Sequence, residues 1–93
     1  GAQAIYTDVW ASMGQENQQA QRVEIFQEFC LDEDLLAEAD PKAIVLHCLP
    51  AHPNEEVTQE VLDSSYSRIW KQAENRMHSA RGAIAFLLSS EEV

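Results

Sequence analysis

The sequence has few basic residues and only two cysteines, and both shortages restrict its function. Six lysines and arginines stand against sixteen acidic residues, a net charge of −10. This sign is the opposite of what nucleic acid and anionic lipid attract, so we expect no nucleic acid and no membrane as partners. Cys30 and Cys48 are too few for a disulfide framework, and we expect both thiols to stay reduced in a cytoplasmic protein.

The sequence also lacks long apolar runs, internal repeats and low-complexity segments. No run approaches the roughly 18 residues of a membrane span, and the first residues do not resemble an export signal. Three glycines and three prolines exclude a collagen-like chain, and no glycine-rich phosphate loop is present. Since 45% of the 93 residues are hydrophobic, we expect one small globular domain, or a piece of a larger one, over residues 1–93.

Three short segments predict β-strands. Residues 4–10 are rich in β-branched and aromatic side chains. Residues 43–49 form a continuous apolar run that Pro50 ends, as in a strand buried on both faces. Residues 66–71 predict a third strand. Because the connections are long enough for helical crossovers, we expect these strands to pair in parallel.

Helical spacing of apolar side chains fills the intervals between these strands. Residues 23–30 predict an amphipathic helix. Three polar residues are suited to cap further helices at their N-termini: Asp32, Asn54 and Asn75. The last of these helices is expected over residues 76–89. Alternation of strands and helices predicts an α/β fold, a parallel sheet with flanking helices.

Polar segments follow each predicted strand, where ligands bind in open α/β sheets. Asp8 follows the first strand, Cys48 ends the second, and Arg76 comes after the third. An acid, a thiol and a guanidinium can therefore converge on one crevice. Arg76 at the start of a helix would form a good receptor for an anion, such as a phosphate or a carbonyl oxygen.

Each of these residues also has a plainer interpretation. Asp8 can be a solvated acid at a strand end, and Cys48 an inert buried thiol. His47 and Cys48 are adjacent on a strand, so their side chains should point to opposite faces, and we exclude a cysteine protease. His47, Cys48 and His52 do not match the spacing of a structural zinc cluster, so we expect no metal. The apolar stripe of the last helix can be core or a docking face.

Three segments, in this order and spacing, resemble the C-terminal part of ornithine carbamoyltransferases. They are Tyr6-Thr7-Asp8-Val9-Trp10-Ala11-Ser12-Met13-Gly14, His47-Cys48-Leu49-Pro50 and Ala73-Glu74-Asn75-Arg76-Met77-His78. The resemblance covers essentially the whole chain and implies part of a Rossmann-like carbamoyltransferase domain. It implies transfer of the carbamoyl group from carbamoyl phosphate to the δ-amino group of L-ornithine. The products are L-citrulline and phosphate, formed in arginine biosynthesis without a covalent intermediate, a metal or an organic cofactor.

The resemblance also implies roles for individual residues. The residues that match positions at ornithine's α-amino end are Asp8, Ser12 and Met13. Those that match the reacting centre and the contacts of carbamoyl phosphate are Cys48, Leu49 and Arg76, with Cys48 and Arg76 in catalytic positions. The arrangement places a carboxylate against an ammonium and a cation where oxyanion charge develops, so orientation and electrostatics would carry the catalysis.

The resemblance is incomplete in two respects. Many relatives have Arg-Gly where this chain has Pro53-Asn54, so the turn before the third helix is expected to differ. The sequence lacks a carbamoyl-phosphate domain, which we expect as a partner docked on residues 76–89 in a homotrimeric parent, and we expect the 93-residue chain alone to be inactive. Two alternatives stay open: a carbamoyltransferase for another amine such as putrescine, and a non-catalytic binding module.

Overall fold

The computed structural model describes residues 1–89 of the 93-residue chain. In chain order, its elements are strand β1 (Ala4–Thr7), helix α1 (Gln19–Phe26), helix α2 (Glu33–Ala37), strand β2 (Ile44–His47), helix α3 (Gln59–Leu62) and helix α4 (Ile69–Leu88). Short 3₁₀ turns flank α1 at Glu16–Gln18 and Gln27–Phe29. Within the described residues, none of these helices combines the length and the apolar character needed to cross a membrane.

The two strands pair in parallel, as predicted for an α/β fold. Ala4 stands opposite Ile44, and Thr7 stands opposite His47. The connection between them contains α1 and α2, which gives the chain the length that a parallel crossover requires. The register places the carboxyl ends of β1 and β2 side by side.

The predicted third strand over residues 66–71 is wrong. This segment forms only one isolated parallel bridge with β2 among the described residues. The Val45 amide donates to the Tyr66 carbonyl, and the Arg68 amide donates to the Val45 carbonyl, both at 2.9 Å. Helix α4 then begins at Ile69, because the two apolar residues there are followed by a long run of good helix formers. Ile69 is 2% exposed and enters the core, whereas Trp70 is 73% exposed.

The start predicted for the last helix is therefore also wrong. The helix begins seven residues before position 76, so Asn75 does not cap it and Arg76 lies inside it. No side chain caps the helix; the Ser67 hydroxyl accepts a long bond, 3.5 Å, from the Ile69 amide. Arg76 consequently cannot use the N-terminal dipole of α4 to hold an anion.

The predicted N-caps of the two short helices have different outcomes. The Asp32 carboxylate accepts a hydrogen bond from the Leu35 amide at 2.8 Å, which confirms that cap. Asn54 does not cap a helix, because its φ of +66° is left-handed, whereas an N-cap is extended. Thr58 is the cap of α3, accepting from the Val61 amide at 3.3 Å. Asparagine and glycine are the residues that tolerate a left-handed turn, which accounts for an asparagine at position 54.

The core lies on one side of β2, between α2, α3 and the first turn of α4. Its buried members are Leu31, Leu36, Val45, Val57, Val61 and Ile69. Helix α1 starts and ends four residues before the predicted amphipathic helix of residues 23–30, and it contributes no fully buried residue; Ile25 and Phe26 of the predicted apolar stripe are exposed. The rest of α4, beyond its first turn, is exposed along most of its length. The buried part of the molecule thus supports the end of β2, where the polar segment His47-Cys48-Leu49-Pro50 follows.

Candidate functional site

Two loops meet at the carboxyl ends of the paired strands. We call residues 8–14, which follow β1, the Asp8 loop, and residues 48–56, which follow β2, the Cys48 loop. Since Thr7 and His47 are register partners, the next residues, Asp8 and Cys48, emerge side by side. The parallel sheet therefore brings together the acid and the thiol that sequence analysis selected.

Asp8 and Cys48 lie close together, with a carboxylate oxygen and the thiol sulfur within 4.8 Å of each other. Burial raises the pKa of the Cys48 thiol, and both its hydrogen bond to Asp8 and the negative charge of that carboxylate raise it further. The thiol is consequently a neutral hydrogen-bond donor to Asp8 at neutral pH. A thiol in this state is a poor nucleophile, because the thiolate is the reactive form. This chemistry agrees with a reaction that forms no covalent intermediate on cysteine.

Five of the six predicted site residues line one cavity of about 380 Å³: Asp8, Ser12, Met13, Cys48 and Leu49. Ser12 and Met13 lie on the exposed tip of the Asp8 loop, and Met13 is 88% exposed. The tip turns at Gly14, whose φ of +89° is one that glycine adopts without steric cost. The Asp8 loop therefore forms an open wall opposite Cys48.

Arg76, the sixth predicted residue, lines a neighbouring cavity of about 820 Å³. Cys48 borders both cavities and so links them. Arg68 and Lys71 line the larger cavity as well, so three of the six basic residues of a chain with net charge −10 surround it. This concentration of positive charge suits an anionic ligand: Arg68 and Lys71 lie at the start of α4, and Arg76 lies further inside it.

A buried pair behind the Cys48 loop was missed by sequence reasoning. The Nε2 atom of His47 lies 2.8 Å from Oε1 of Glu56, and both side chains are fully buried. The Leu49 amide donates to Nδ1 of His47 at 2.8 Å, which leaves the imidazole proton on Nε2, facing the carboxylate. The pair thus holds Leu49 at its left-handed φ of +58°, a conformation that a branched side chain disfavours.

The available signal for this pair was a histidine at the end of a buried strand followed, nine residues later, by an acid. With both nitrogens engaged by Glu56 and Leu49, His47 is unavailable as a base for Cys48. The exclusion of a cysteine protease therefore stands on hydrogen bonding as well. The side chains of His47 and Cys48 were also predicted to point to opposite faces of a strand. They do not do so fully, because β2 ends at His47 and Cys48 no longer follows the alternation of a strand.

Among residues 1–89, two groups of side chains have donor atoms close enough to hold a metal ion. One consists of Asp8, His47 and Cys48, and the other of His52, Glu55 and Glu56. Within each group, one donor atom per residue lies within 4.8 Å of the others. The sequence prediction considered His47, Cys48 and His52 together, a set that the structure divides between the two groups.

With this geometry established, the chain can be compared with known proteins. The sequence profile of the aspartate/ornithine carbamoyltransferase family, Asp/Orn binding domain, matches residues 1–87. The chain belongs to this carbamoyltransferase family. Both the resemblance stated from the sequence and the α/β fold class are thereby confirmed.

Individual carbamoyltransferases show the same relationship. The ornithine carbamoyltransferase of Prochlorococcus marinus (strain MIT 9313) is 62% identical over 88 residues, which make up 95% of this chain and 28% of that protein. The structure of the Pyrococcus furiosus enzyme of that name matches with a TM-score of 0.82 and 51% identity, over 90% of this chain and 27% of that one.

A more distant carbamoyltransferase keeps the same backbone. The structure described as anabolic ornithine carbamoyltransferase from Campylobacter jejuni matches with a TM-score of 0.84 at 33% identity, over 96% of this chain and 29% of that one. The chain therefore spans less than a third of the length of these relatives.

Proposed function

We propose that this chain supplies part of the active site of an ornithine carbamoyltransferase. In this reaction the δ-amino group of L-ornithine attacks the carbonyl carbon of carbamoyl phosphate, and L-citrulline and phosphate are released. The observation that carries the proposal is the meeting of Asp8 and Cys48 at the carboxyl ends of two paired strands, in a cavity that Ser12, Met13 and Leu49 also line. The relatives named ornithine carbamoyltransferase support it.

The Asp8 loop provides the side of the site that binds the amino acid. The Asp8 carboxylate pairs with the α-ammonium of ornithine, and Ser12 and Met13 close over it from the exposed tip of the loop. A charge-assisted hydrogen bond of this kind is roughly twice as strong as a neutral one. Asp8 thereby fixes the far end of the substrate and aims the δ-amino group toward Cys48.

Cys48, Leu49 and Arg76 provide the side that binds carbamoyl phosphate. Arg76 contacts its oxygen atoms, and the cations of Arg68 and Lys71 line the same cavity. Cys48 borders this cavity and the one lined by Asp8, so it lies where the two substrates would meet. Held in this way, the reactants gain from orientation and from a cation beside the developing oxyanion, with no metal or organic cofactor in the reaction.

The complete site requires more protein than this chain. We propose that residues 1–93 are the C-terminal portion of the ornithine-binding domain and that the exposed apolar side chains of α4 dock on a carbamoyl-phosphate domain. These side chains include Met77, Ile84, Phe86 and Leu87. We further propose a homotrimeric, cytoplasmic parent that acts in arginine biosynthesis; the two free cysteines among the described residues suit a reducing compartment.

The test is citrulline formation by the full-length protein, with ornithine and putrescine offered in competition. The proposal expects citrulline as the main product and a preference for ornithine, because putrescine has no α-carboxylate. Carbamoyl-putrescine as the main product would favour the other amine, and no carbamoylation of either amine would favour a binding module. The isolated 93-residue chain is expected to form no citrulline, since Arg76 alone cannot replace the other contacts of carbamoyl phosphate.

A further inference from the structure

Two buried polar atoms have no hydrogen-bond partner among the described residues. They are Nδ1 of His52 and Oε2 of Glu56. The Glu56 side chain is completely buried, and its other oxygen, Oε1, already accepts from Nε2 of His47 and from the His52 amide, both at 2.8 Å. Buried polar atoms are nearly always paired in folded proteins. An oxygen without a hydrogen bond on a completely buried carboxylate, in one cluster with the His52 and Glu55 side chains, therefore points to a ligand that the protein does not itself supply.

A second carboxylate faces the same point. The Glu55 amide donates to the His52 carbonyl at 3.0 Å, and this tight turn brings Glu55 and Glu56 back over the imidazole. Nδ1 of His52 lies 3.3 Å from Oε2 of Glu55. One donor atom from each of the three residues lies within 4.8 Å of the others. The cluster therefore offers three possible ligand side chains, all from one short segment of the chain.

The charge of the cluster selects the kind of ligand. Two carboxylates converge here, and no lysine or arginine within residues 1–89 forms an ion pair with either of them. A bridging water could satisfy the two free atoms but would leave the negative charges of Glu55 and Glu56 opposed. A cation satisfies the free atoms and the charge together.

We propose that His52, Glu55 and Glu56 form a binding site for a divalent transition-metal ion of the Zn²⁺ class. An imidazole nitrogen with two carboxylate oxygens is a donor set that zinc accepts, whereas Mg²⁺ and Ca²⁺ prefer oxygen alone and more ligands. A tetrahedral ion with bonds of about 2.0–2.1 Å separates its ligand atoms by about 3.4 Å. The observed 3.3 Å between His52 and Glu55 matches this spacing.

The groups around the cluster hold two of its ligands in place. His47 and the His52 amide fix the Glu56 carboxylate through Oε1, which leaves Oε2 for the ion. The side-chain amide of Gln19 donates to both carboxylate oxygens of Glu55, at 3.0 and 3.1 Å. Such outer hydrogen bonds orient metal ligands and raise affinity. His52 also lines the cavity of Asp8 and Cys48, so a bound ion would lie at the wall of that cavity, outside the reaction itself.

The other candidate group, Asp8 with His47 and Cys48, must be separated from this site in any test, because a thiolate attracts zinc strongly. We therefore choose Cys48→Ala as the background for the full-length protein and titrate Zn²⁺ by calorimetry. One ion per subunit is expected to bind, with Mg²⁺ unable to displace it. Adding His52→Ala or Glu55→Gln is expected to weaken Zn²⁺ binding at least ten-fold.

The matched control for these variants is His78→Ala. His78 also lies beside a glutamate, Glu74, at 3.2 Å, but both side chains are about half exposed on α4. Zn²⁺ affinity unchanged in His78→Ala and lowered in His52→Ala supports the proposal. Equal affinities in the two variants, or loss of all binding in Cys48→Ala alone, overturn it.

Cobalt provides a second measurement that needs no substitution. Co²⁺ bound to His52 and two carboxylates gives weak visible bands, whereas Co²⁺ bound to Cys48 adds an intense thiolate charge-transfer band in the near ultraviolet. Visible bands without that intense band support the proposed site, and the intense band from the first equivalent overturns it. Neither measurement needs substrate, so a failed citrulline assay would leave this result unaffected.

Discussion

The Asp8 loop and the Cys48 loop reach the same cavity but are held in different ways. The Cys48 loop is held by two buried side chains. The His47 imidazole accepts a hydrogen bond from the Leu49 amide, and the Glu56 carboxylate accepts one from the His52 amide. The Asp8 loop is tied mainly by side chains at the surface: its Ser12 and Gly14 amides donate to side-chain oxygens of Gln15 and Glu16 in exposed bonds. Only its bond from Arg22 to the Trp10 carbonyl is partly buried.

Burial decides what these similar bonds contribute. In the low dielectric of the interior, hydrogen bonds are stronger and leaving one unmade is costly, whereas bonds exposed to water exchange with solvent at little cost. The Cys48 loop is therefore the more rigid of the two, and the Asp8 loop can adjust to it. Under the proposed function, this difference would give a rigid reacting centre and a mobile loop over the amino acid.

The largest expected effect comes from removing the acid that supports the Cys48 loop. Glu56→Ala deprives two N–H groups, Nε2 of His47 and the backbone amide of His52, of their acceptor. Each buried donor left without its acceptor costs about 1–3 kcal/mol, so the two together cost about 2–6 kcal/mol. We expect a loss of that size in the free energy of unfolding of the full-length protein, measured with urea.

The control for this variant is Glu60→Ala, which removes an exposed glutamate from α3. It should change the free energy of unfolding by at most about 0.5 kcal/mol. If Glu56→Ala were as mild as Glu60→Ala, the buried pair would not be what fixes the Cys48 loop, and the contrast between the two loops would be lost.

The second effect concerns binding at the Asp8 loop. Asp8→Asn keeps the shape and one acceptor but removes the charge proposed to pair with ornithine's α-ammonium. Because a hydrogen bond to a charged group contributes about 1.5–3 kcal/mol, ornithine affinity should fall roughly ten- to a hundred-fold. Calorimetry on the full-length protein measures this change. Carbamoyl phosphate affinity should stay the same, and ornithine affinity equal to wild type would return Asp8 to a solvated acid at a strand end.

Features that depend on local pattern were predictable from the sequence, and features that depend on distant contacts were not. The apolar runs at β1 and β2 and the cap at Asp32 are local, and the structure has all three. Whether Ile69 and Trp70 form a strand or a helix depends on packing against Val45 and on the residues that follow, which a two-residue apolar run does not reveal.

The candidate site divides in the same way. Asp8 and Cys48 were predictable because parallel strands bring their ends together. The partner of His47 was not, because Glu56 lies in a polar segment that reads as the first turn of a helix. Asn54 makes a left-handed turn in this segment, which sends Glu56 inward. The resemblance identified site residues by motif, whereas their supporting contacts required the fold.

A smaller effect is expected where the Cys48 loop joins α3. Thr58→Ala removes the cap of that helix and should lower the free energy of unfolding by about 1 kcal/mol. Asn54→Gly, the change at the position first predicted as the cap, should cost less, because glycine adopts the left-handed φ without strain and only a long bond of 3.4 Å from the Gln59 amide is lost. Urea unfolding of both variants tests the assignment, and a larger loss from Asn54→Gly than from Thr58→Ala would contradict it.

The smallest expected effect tests the contact between the two loops. The pKa of Cys48 is raised by burial first and by Asp8 second, and Asp8→Asn removes the negative charge of Asp8 while keeping the burial and a hydrogen-bond acceptor. The thiolate fraction at pH 8 should rise, and alkylation of Cys48 by iodoacetamide should become about two- to five-fold faster. The gain is limited because a thiol of lower pKa is also a weaker nucleophile.

Cys30 serves as a control within the same molecule. Its pKa is also raised by burial, but its acidic neighbours are Asp32, Glu56 and Glu33. Its rate should not change when both sites are followed by peptide mass spectrometry. An equal acceleration at Cys30 would indicate general loosening of the fold, and no acceleration at Cys48 would show that the Asp8 charge does not act on the thiol.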